Sequence, residues 1–288
     1  MVQASDVVKL RELTGAGMMD CKNALEETGG DMEKAADLLR KKGIVKAAKR
    51  AGKVAAEGLV LVKTAGNFGV VMELNCETDF VAKNDGFKQT AAEFLDYLLE
   101  KRPANLDQAL GQPMGSATVR ENLESATAKI GEKIFLRRFA VLEKGGGETF
   151  GEYIHMGGKI AVLVLLSGAD ADLAREIAMQ AAAANPRYLD RSEVPAADLE
   201  REKAIHADQL KAQGKPESMI ENILRGKLEK FYEENCLIDQ VYIKDESKKV
   251  RDLLGTATIK KFIRFELGEG IEKEQKNFAD EVSEQLGG

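Results

Sequence analysis

The chain has 288 residues, a hydrophobic fraction of 44% and a formal net charge of −6 at pH 7. This length accommodates about two domains, and the apolar fraction is typical of a globular protein. The negative charge argues against a nucleic-acid partner, because that affinity depends largely on Lys and Arg side chains that neutralise phosphates. The longest apolar run, Ile160–Leu166, is far shorter than the roughly 20 residues that cross a bilayer, so no membrane partner is expected.

The few cysteine and histidine residues argue against standard zinc chemistry. Cys21, Cys76 and Cys236 are far apart, and the chain has only two histidines, whereas zinc sites use closely spaced Cys and His ligands. Neither a GxxxxGK[ST] loop nor a strand-anchored GxGxxG is present, which argues against nucleotide binding by those loops. No cofactor and no metal are expected. The N-terminal sequence MVQASDVVKLRELTG has no apolar signal core, which predicts a cytoplasmic protein.

The first part of the chain predicts three short helices. Apolar residues up to Leu13 recur on one helical face, the GAG triplet at 15–17 interrupts them, and a second periodic segment follows. Asp31 is placed to cap a third helix, which is expected to end at Gly43. The basic run Arg40–Lys53 then predicts a solvated linker. Such a bundle is near the lower size limit for an independent core.

Two units of hairpin followed by helix are predicted in the middle of the chain. On the second strand of the first hairpin, apolar residues alternate with polar ones such as Glu73, so one face is expected to be buried. A helix at 119–129 and a strand at 132–144 lie between the units. The segments of the two units are strand 58–64, strand 68–77, helix 85–101, strand 149–154, strand 159–168 and helix 170–185.

Residues 195–235 predict two polar helices joined by the GKP triplet at 214–216. The first helix is mostly charged, and the second has one apolar stripe. A helical hairpin with so little core is expected to protrude and to pack on a partner or on itself. A strand at 260–270 and an acidic amphipathic helix at 271–286 complete the predicted elements.

The stretch NCETDFVAKND, residues 75–85, joins the first hairpin to its helix. It can be interpreted as a catalytic or metal site, as an ordinary strand-to-helix junction, or as a wedge against another protein. Glu77, Asp79 and Asp85 could be acids, bases or metal ligands, but only residue type supports this. Cys76 lies on the apolar strand face, which predicts a core cysteine. Asp85 is expected to cap the next helix.

Phe80 and Val81 in this stretch cannot both face one core. Neighbouring side chains point about 100° apart on a helix and about 180° apart on a strand, so one of the two is expected to be exposed. Spacing does not decide which, and a lone exposed apolar residue needs no function. The adjacent Met18 and Met19 present the same alternative in the small bundle, where exposed methionine suits an adaptable binding surface.

Five segments spread from the first predicted helix to the last carry a family resemblance. They are LRELTGAGMMDCKNALEETGGDMEKAADLLRKKG, AAEGLV, NCETDFVAKND, KIGEKIFLRR and FIRFELGEGIEK. Together they resemble bacterial translation elongation factor Ts, and TGAGMMDCK followed at this distance by TDFVAK is a specific combination.

The resemblance implies an α+β fold built from several modules. A three-helix module similar to ubiquitin-associated domains would precede a core of two related subdomains of antiparallel sheet and helices. A helical hairpin for dimerisation or a coiled coil would be inserted in the second subdomain, and a C-terminal module would follow. The implied boundaries are 1–53 for the first module, 54–143 for the first subdomain, 144–194 with 236–267 for the second, 195–235 for the hairpin and 268–288 for the last module.

The resemblance also implies a function that is not enzymatic in the bond-making sense. The family exchanges guanine nucleotide on elongation factor Tu: it binds the GDP form, ejects GDP and leaves when GTP enters. A homodimer, giving a 2:2 complex, is left open. Two rivals remain: a helical adaptor that binds peptides through Met18 and Met19, and an enzyme that uses the carboxylates of residues 75–85.

The resemblance assigns roles to individual residues. Asp79 and Phe80 match the family's wedge, which enters between two helices of the partner's G domain near the Mg²⁺ and phosphate site. The other implied partner contacts are Arg11, Met18 and Met19 in the N-terminal module, Ile130 and Gly131 in the core, and His155, which would face the partner's third domain.

Overall fold

The computed structural model describes residues 2–14 and 16–272, which form an α+β fold. The helices are α1 Ala4–Thr14, α2 Met18–Glu27, α3 Met32–Arg50, α4 Asp79–Lys83, α5 Asp85–Lys101, α6 Leu106–Gly111, α7 Val119–Ile130, α8 Ala171–Ala184, α9 Ala196–Ala212, α10 Glu217–Asn235 and α11 Val250–Leu254. The strands are β1 Glu57–Ala65, β2 Phe68–Cys76, β3 Pro113–Met114, β4 Ala117–Thr118, β5 Phe135–Glu143, β6 Glu148–His155, β7 Ile160–Ser167, β8 Val241–Tyr242, β9 Asp245–Lys249 and β10 Thr258–Glu266.

The larger sheets repeat one arrangement of strands. Their strand orders are β1-β2-β5 and β10-β7-β6. In each sheet a hairpin is followed in the chain by helix, and a later strand then joins beside the hairpin's second strand. The predicted order of hairpin and then helix is therefore confirmed twice. The predicted acidic helix at 271–286 lies, beyond Glu272, outside the described residues.

The described chain divides into two compact units. The first contains the described residues up to 60, with 72–139 and 266–272, and the second contains 61–71 and 140–265. None of the helices in the described ranges combines the length and the apolar character required to cross a membrane.

In the first unit, α1, α2 and α3 pack on one another around a small apolar core. Asp31 Oδ1 accepts the N–H of Lys34 at 3.0 Å, so the predicted cap of α3 is confirmed. The core side chains are those of Val7, Leu10, Cys21, Ala24, Leu25 and Ala35.

The predicted end of the third helix at Gly43 is wrong, because α3 continues to Arg50. Gly43 is buried, and a Cβ atom there would lie 3.2 Å from the Cβ of Ala128 in α7. The glycine therefore permits close packing of α3 on α7 instead of ending the helix. The basic segment that was predicted to be a linker is largely helical, and its end reaches the candidate site described below.

In the second unit, β6 and β7 pair antiparallel from Glu148 opposite Ser167 to His155 opposite Ile160. The helix α8 packs on both strands and contributes Ile177 to their shared core. The helices α9 and α10 pack on each other as the predicted hairpin. The apolar stripe on α10 is confirmed at its ends, where Ile220 and Phe231 are buried.

The expectation that only one face of the first hairpin is buried is wrong for β2. Glu73 and Asn75, on the face predicted to be polar, are both fully buried. Glu73 is neutralised by Arg137, whose Nη1 lies 2.9 Å from Oε1, and by Arg138, whose Nε lies 2.6 Å from Oε2. The N–H of Gly268 also donates to Oε1, at 2.8 Å. Buried charge is tolerated here because it is paired and hydrogen-bonded.

These contacts determine the ionisation of Glu73. Burial acts to raise its pKa, but the N–H of Gly268 and the guanidinium groups of Arg137 and Arg138 outweigh burial, and the pKa lies below its ordinary value of 4.5. The ionised carboxylate therefore stabilises the folded state at neutral pH.

We predict that Glu73→Gln lowers the free energy of unfolding at pH 7 by about 3–5 kcal/mol, because it removes the negative partner of a buried ion pair and leaves the arginines in place. Denaturant unfolding followed by circular dichroism measures this. Glu100→Gln, whose wild-type side chain is 71% exposed, is the control and should change stability by less than about 0.5 kcal/mol.

The stability difference between wild type and Glu73→Gln is predicted to depend on pH. Because the folded-state pKa of Glu73 is lowered, its stabilisation is complete above the unfolded pKa and is lost as pH falls through the folded pKa. The stability difference between wild type and Glu73→Gln should thus be constant near neutral pH and should shrink below the ordinary value of 4.5. A difference that stays constant under acid conditions contradicts this role.

Candidate functional site

The stretch NCETDFVAKND folds as the end of β2, a short turn, the five-residue helix α4 and the start of α5. Thr78 caps α4, because its Oγ1 accepts the N–H of Val81 at 3.3 Å. Ala82 is buried and Val81 is half-buried, whereas Phe80 is 82% exposed. The expectation that one member of the Phe80–Val81 pair is exposed is confirmed, and the exposed member is Phe80.

An open depression of about 630 Å³ lies beside Phe80. Ile130, at the end of α7, also lines it, together with Val81 and Ala126. Gly131 follows, is exposed, and ends α7 in the left-handed conformation with φ 87°. The structure therefore brings two of the predicted contact residues, Phe80 and Ile130, to the same depression, with Gly131 next in the chain.

Two glutamates connect the turn before α4 to the turn after α7. Glu132 Oε2 accepts the N–H groups of Glu77 and Thr78 at 3.1 and 3.0 Å, and its Oε1 accepts the Thr78 hydroxyl at 2.6 Å. In return, Glu77 Oε1 accepts the N–H of Lys133 at 2.7 Å. Each turn thus supplies a carboxylate to the backbone of the other, and we call Glu77 and Glu132 the carboxylate clamp.

The end of α3 is attached to this clamp. Arg50 Nη1 donates to Glu77 Oε1 at 2.8 Å, so the ionised clamp has a cationic partner. Lys133 Nζ donates to the carbonyl oxygens of Ala51 and Lys53 at 2.6 and 3.1 Å. Sequence reasoning missed these contacts because Arg50 was assigned to a linker and its partner is 27 residues away.

The three carboxylates that raised the catalytic alternative have separate structural partners. Glu77 belongs to the clamp, Asp79 Oδ2 pairs with Lys83 Nζ at 2.7 Å, and Asp85 pairs with Lys88 at 3.2 Å. Among the described residues there is no group of three His, Cys, Asp or Glu side chains that could hold a metal ion.

The expected cap at Asp85 is wrong, because Asp85 is the first residue of α5 and its side chain is fully exposed. The cap is Asn84, whose backbone is extended and whose Oδ1 accepts the N–H of Gly86 at 2.8 Å. Cys76 is fully buried, so the prediction of a core cysteine is confirmed.

The predicted contact residues of the N-terminal helices are all exposed. Arg11 is exposed at the end of α1, and Met18 and Met19, at the start of α2, are 44% and 64% exposed. Leu13 was expected on the buried face of α1 but is 70% exposed. Leu13 is therefore a further exposed apolar residue of the N-terminal helices, which periodicity alone could not identify.

The predicted strand at 149–154 is one residue longer at each end, so His155, expected in the turn after it, is instead the last residue of β6, in the second unit. It is exposed between Ile154 and Met156, which are 41% and 72% exposed. Its Nδ1 lies 3.2 Å from the hydroxyl of Tyr153, and the two rings stack with centroids 5.9 Å apart. This contact restricts the orientation of the imidazole.

The fold and the site together define a class: an α+β protein whose candidate site is an exposed apolar surface. The model of the elongation factor Ts family matches residues 77–269, well over half of the chain, and the chain belongs to this family. Membership indicates a part in protein biosynthesis, with a role in nucleotide exchange on elongation factor Tu. The matched range includes Phe80, Ile130 and His155, whereas Arg11, Met18 and Met19 precede it.

We predict that Phe80→Ala changes the free energy of unfolding by less than about 0.5 kcal/mol, because the exposed ring has little packing to lose. Phe87, fully buried in α5, is the matched control, and Phe87→Ala should cost about 3–5 kcal/mol. Urea unfolding followed by circular dichroism compares the two. A loss for Phe80→Ala similar to that of Phe87→Ala would mean that the Phe80 ring is packed.

Proposed function

We propose that the chain is a guanine-nucleotide exchange factor for elongation factor Tu and that Phe80, beside Asp79, is its wedge. The observation that carries this proposal is an aromatic ring held 82% exposed on a helix whose base is fixed by hydrogen bonds. The wedge enters the G domain of GDP-bound elongation factor Tu and displaces the helices that hold the Mg²⁺ and phosphate ligands. GDP then dissociates.

The energetics favour displacement over a charge effect. A nucleotide bound at nanomolar affinity is held by about 12 kcal/mol, so rapid release requires a coupling of several kcal/mol. One exposed ion pair contributes about 0–1 kcal/mol, and Asp79 already pairs with Lys83. The ring of Phe80 gains a large apolar contact when it is buried in a partner, and that gain offsets the cost of moving the partner's helices.

The remaining exposed residues have a binding role in this proposal. Arg11, Met18 and Met19 contact the G domain from the N-terminal helices, and Ile130 with Gly131 contacts it beside the wedge. His155 faces the third domain of elongation factor Tu. The flexible side chains of exposed methionines support an adaptable contact.

The proposed domain organisation follows the function. Residues 1–53 form a ubiquitin-associated-like module for the G domain, and 268–288 form a C-terminal module. Between them lie the core subdomains, 54–143 and 144–194 with 236–267. The hairpin 195–235 serves dimerisation or a coiled coil, and its mostly charged first helix supports a role outside the core. A homodimer would bind two copies of elongation factor Tu.

Phe80→Ala is expected to slow GDP release about tenfold or more, because truncation of a central aromatic anchor typically costs about 2 kcal/mol or more. The measurement is the release of fluorescent GDP from elongation factor Tu at saturating concentrations of each variant. Asp79→Ala should also slow release, whereas the control Asp85→Ala, which removes a fully exposed carboxylate, should not. Unchanged release with both Phe80→Ala and Asp79→Ala contradicts the wedge. A wild-type chain that binds without accelerating release would instead be an adaptor.

The double variant Met18→Ser with Met19→Ser is expected to raise the concentration that gives half-maximal release about tenfold, because two exposed apolar contacts are lost. The maximal rate should change less, since the wedge is intact. Met219→Ser, which alters a methionine 52% exposed on α10, is the control. A fall in maximal rate alone would contradict a binding role.

A further inference from the structure

The helix that carries Phe80 is too short to fix the direction of its own side chains. It has five residues, whereas isolated helices need about 12–15 residues even for marginal stability in water. Phe80 itself makes little packing contact, since it is 82% exposed. Its direction therefore depends on what holds the turn at Glu77 and Thr78.

We propose that Glu77 and Glu132, the carboxylate clamp, are positioning residues for nucleotide exchange. They fix the distance and angle between Phe80 and the Ile130–Gly131 turn, so that both contacts act on the partner at once. This proposal rests on the proposed exchange function, because it assigns to the clamp a role in delivering the wedge.

The connectivity of the clamp supports a positioning role. Glu132 directly follows the Ile130–Gly131 turn and holds three donors in the turn before α4. Glu77, two residues before Asp79, holds the N–H of Lys133 in return. The two predicted contact elements are therefore joined by four hydrogen bonds that run in both directions, and neither turn can rotate without breaking some of them.

The chemistry of the clamp also suits a role in orienting the two turns better than a role in merely holding them together. Apolar contacts are non-directional, whereas hydrogen bonds weaken steeply when their geometry changes. Bonds from backbone N–H groups to an ionised carboxylate are shorter and stronger than neutral ones. Glu77 is only 16% exposed, and Arg50 offsets its charge. Two carboxylates used in this way hold the turns in one orientation.

A double-mutant cycle of Glu132→Ala and Phe80→Ala tests the proposal with the full chain and GDP-loaded elongation factor Tu. Alone, Glu132→Ala should lower the maximal rate of fluorescent-GDP release about fivefold or more, as expected for coupled neighbours. The concentration for half-maximal release should change less than about twofold. In the Phe80→Ala background, Glu132→Ala should have almost no further effect, because there is no ring left to position.

Matched variants separate positioning from general damage. Glu132→Gln retains a carbonyl acceptor for both N–H groups but loses the charge, so its rate should lie between those of wild type and Glu132→Ala. Glu93→Ala, at an exposed position of α5, should have no effect. Amide hydrogen exchange at Glu77 and Thr78 should accelerate in Glu132→Ala. If Glu132→Ala does not fold, Glu132→Gln and Glu77→Gln replace it, and each is measured alone and together with Phe80→Ala.

The outcomes distinguish this proposal from the proposed function. If Phe80→Ala slows release and Glu132→Ala slows it equally in both backgrounds, the positioning role is overturned and the wedge stands. Unchanged release in Glu132→Ala alone also overturns the positioning role. If Phe80→Ala has no effect, there is no ring effect to position and the positioning role is overturned; if Asp79→Ala has no effect either, the wedge fails with it.

Discussion

The exchange of carboxylates between two backbone turns is the constraint on which the candidate site depends. Backbone N–H groups in irregular turns need acceptors, and here Glu132 serves the turn before α4 while Glu77 serves the turn after α7. With its polar groups satisfied in this way, the turn keeps α4 in place although α4 contributes few buried side chains of its own. The fold can therefore hold Phe80 in water instead of burying it.

Acidic residues have the same structural use elsewhere in the first unit. Glu73 lies at the centre of a buried cluster that joins β2 to Arg137 and Arg138 of β5 and to the N–H of Gly268. In the clamp and in this cluster, one carboxylate joins segments that are far apart in the chain. Of the carboxylates that resembled a catalytic group in the sequence, Glu77 is thus a connector between backbone segments, whereas Asp79 and Asp85 pair with lysines nearby in the chain.

Hydrophobic periodicity predicted what depends on neighbours in the chain. The three N-terminal helices, both hairpin-and-helix units and the helical hairpin follow from spacing alone. What it could not predict depends on distant residues. The helix continues through Gly43, where α7 packs against it. Glu73 can be buried because Arg137 and Arg138 neutralise it, and these partners lie 64 and 65 residues away in the chain. For the site, the sequence predicted that either Phe80 or Val81 is exposed but did not decide which. The clamp was missed because its bonds span 54 to 56 residues.

In the proposed function, binding of this chain and binding of GDP to elongation factor Tu oppose each other through Phe80. Linkage requires that GDP weaken this chain's affinity for elongation factor Tu by the same factor by which the chain weakens GDP. The most direct measurement is calorimetric titration of GDP-bound and nucleotide-free elongation factor Tu with wild type and with Phe80→Ala. Wild type is expected to bind the nucleotide-free form more tightly by at least about a hundredfold, and Phe80→Ala is expected to show a much smaller difference. Equal affinity of wild type for both forms, or an unchanged difference in Phe80→Ala, would contradict it.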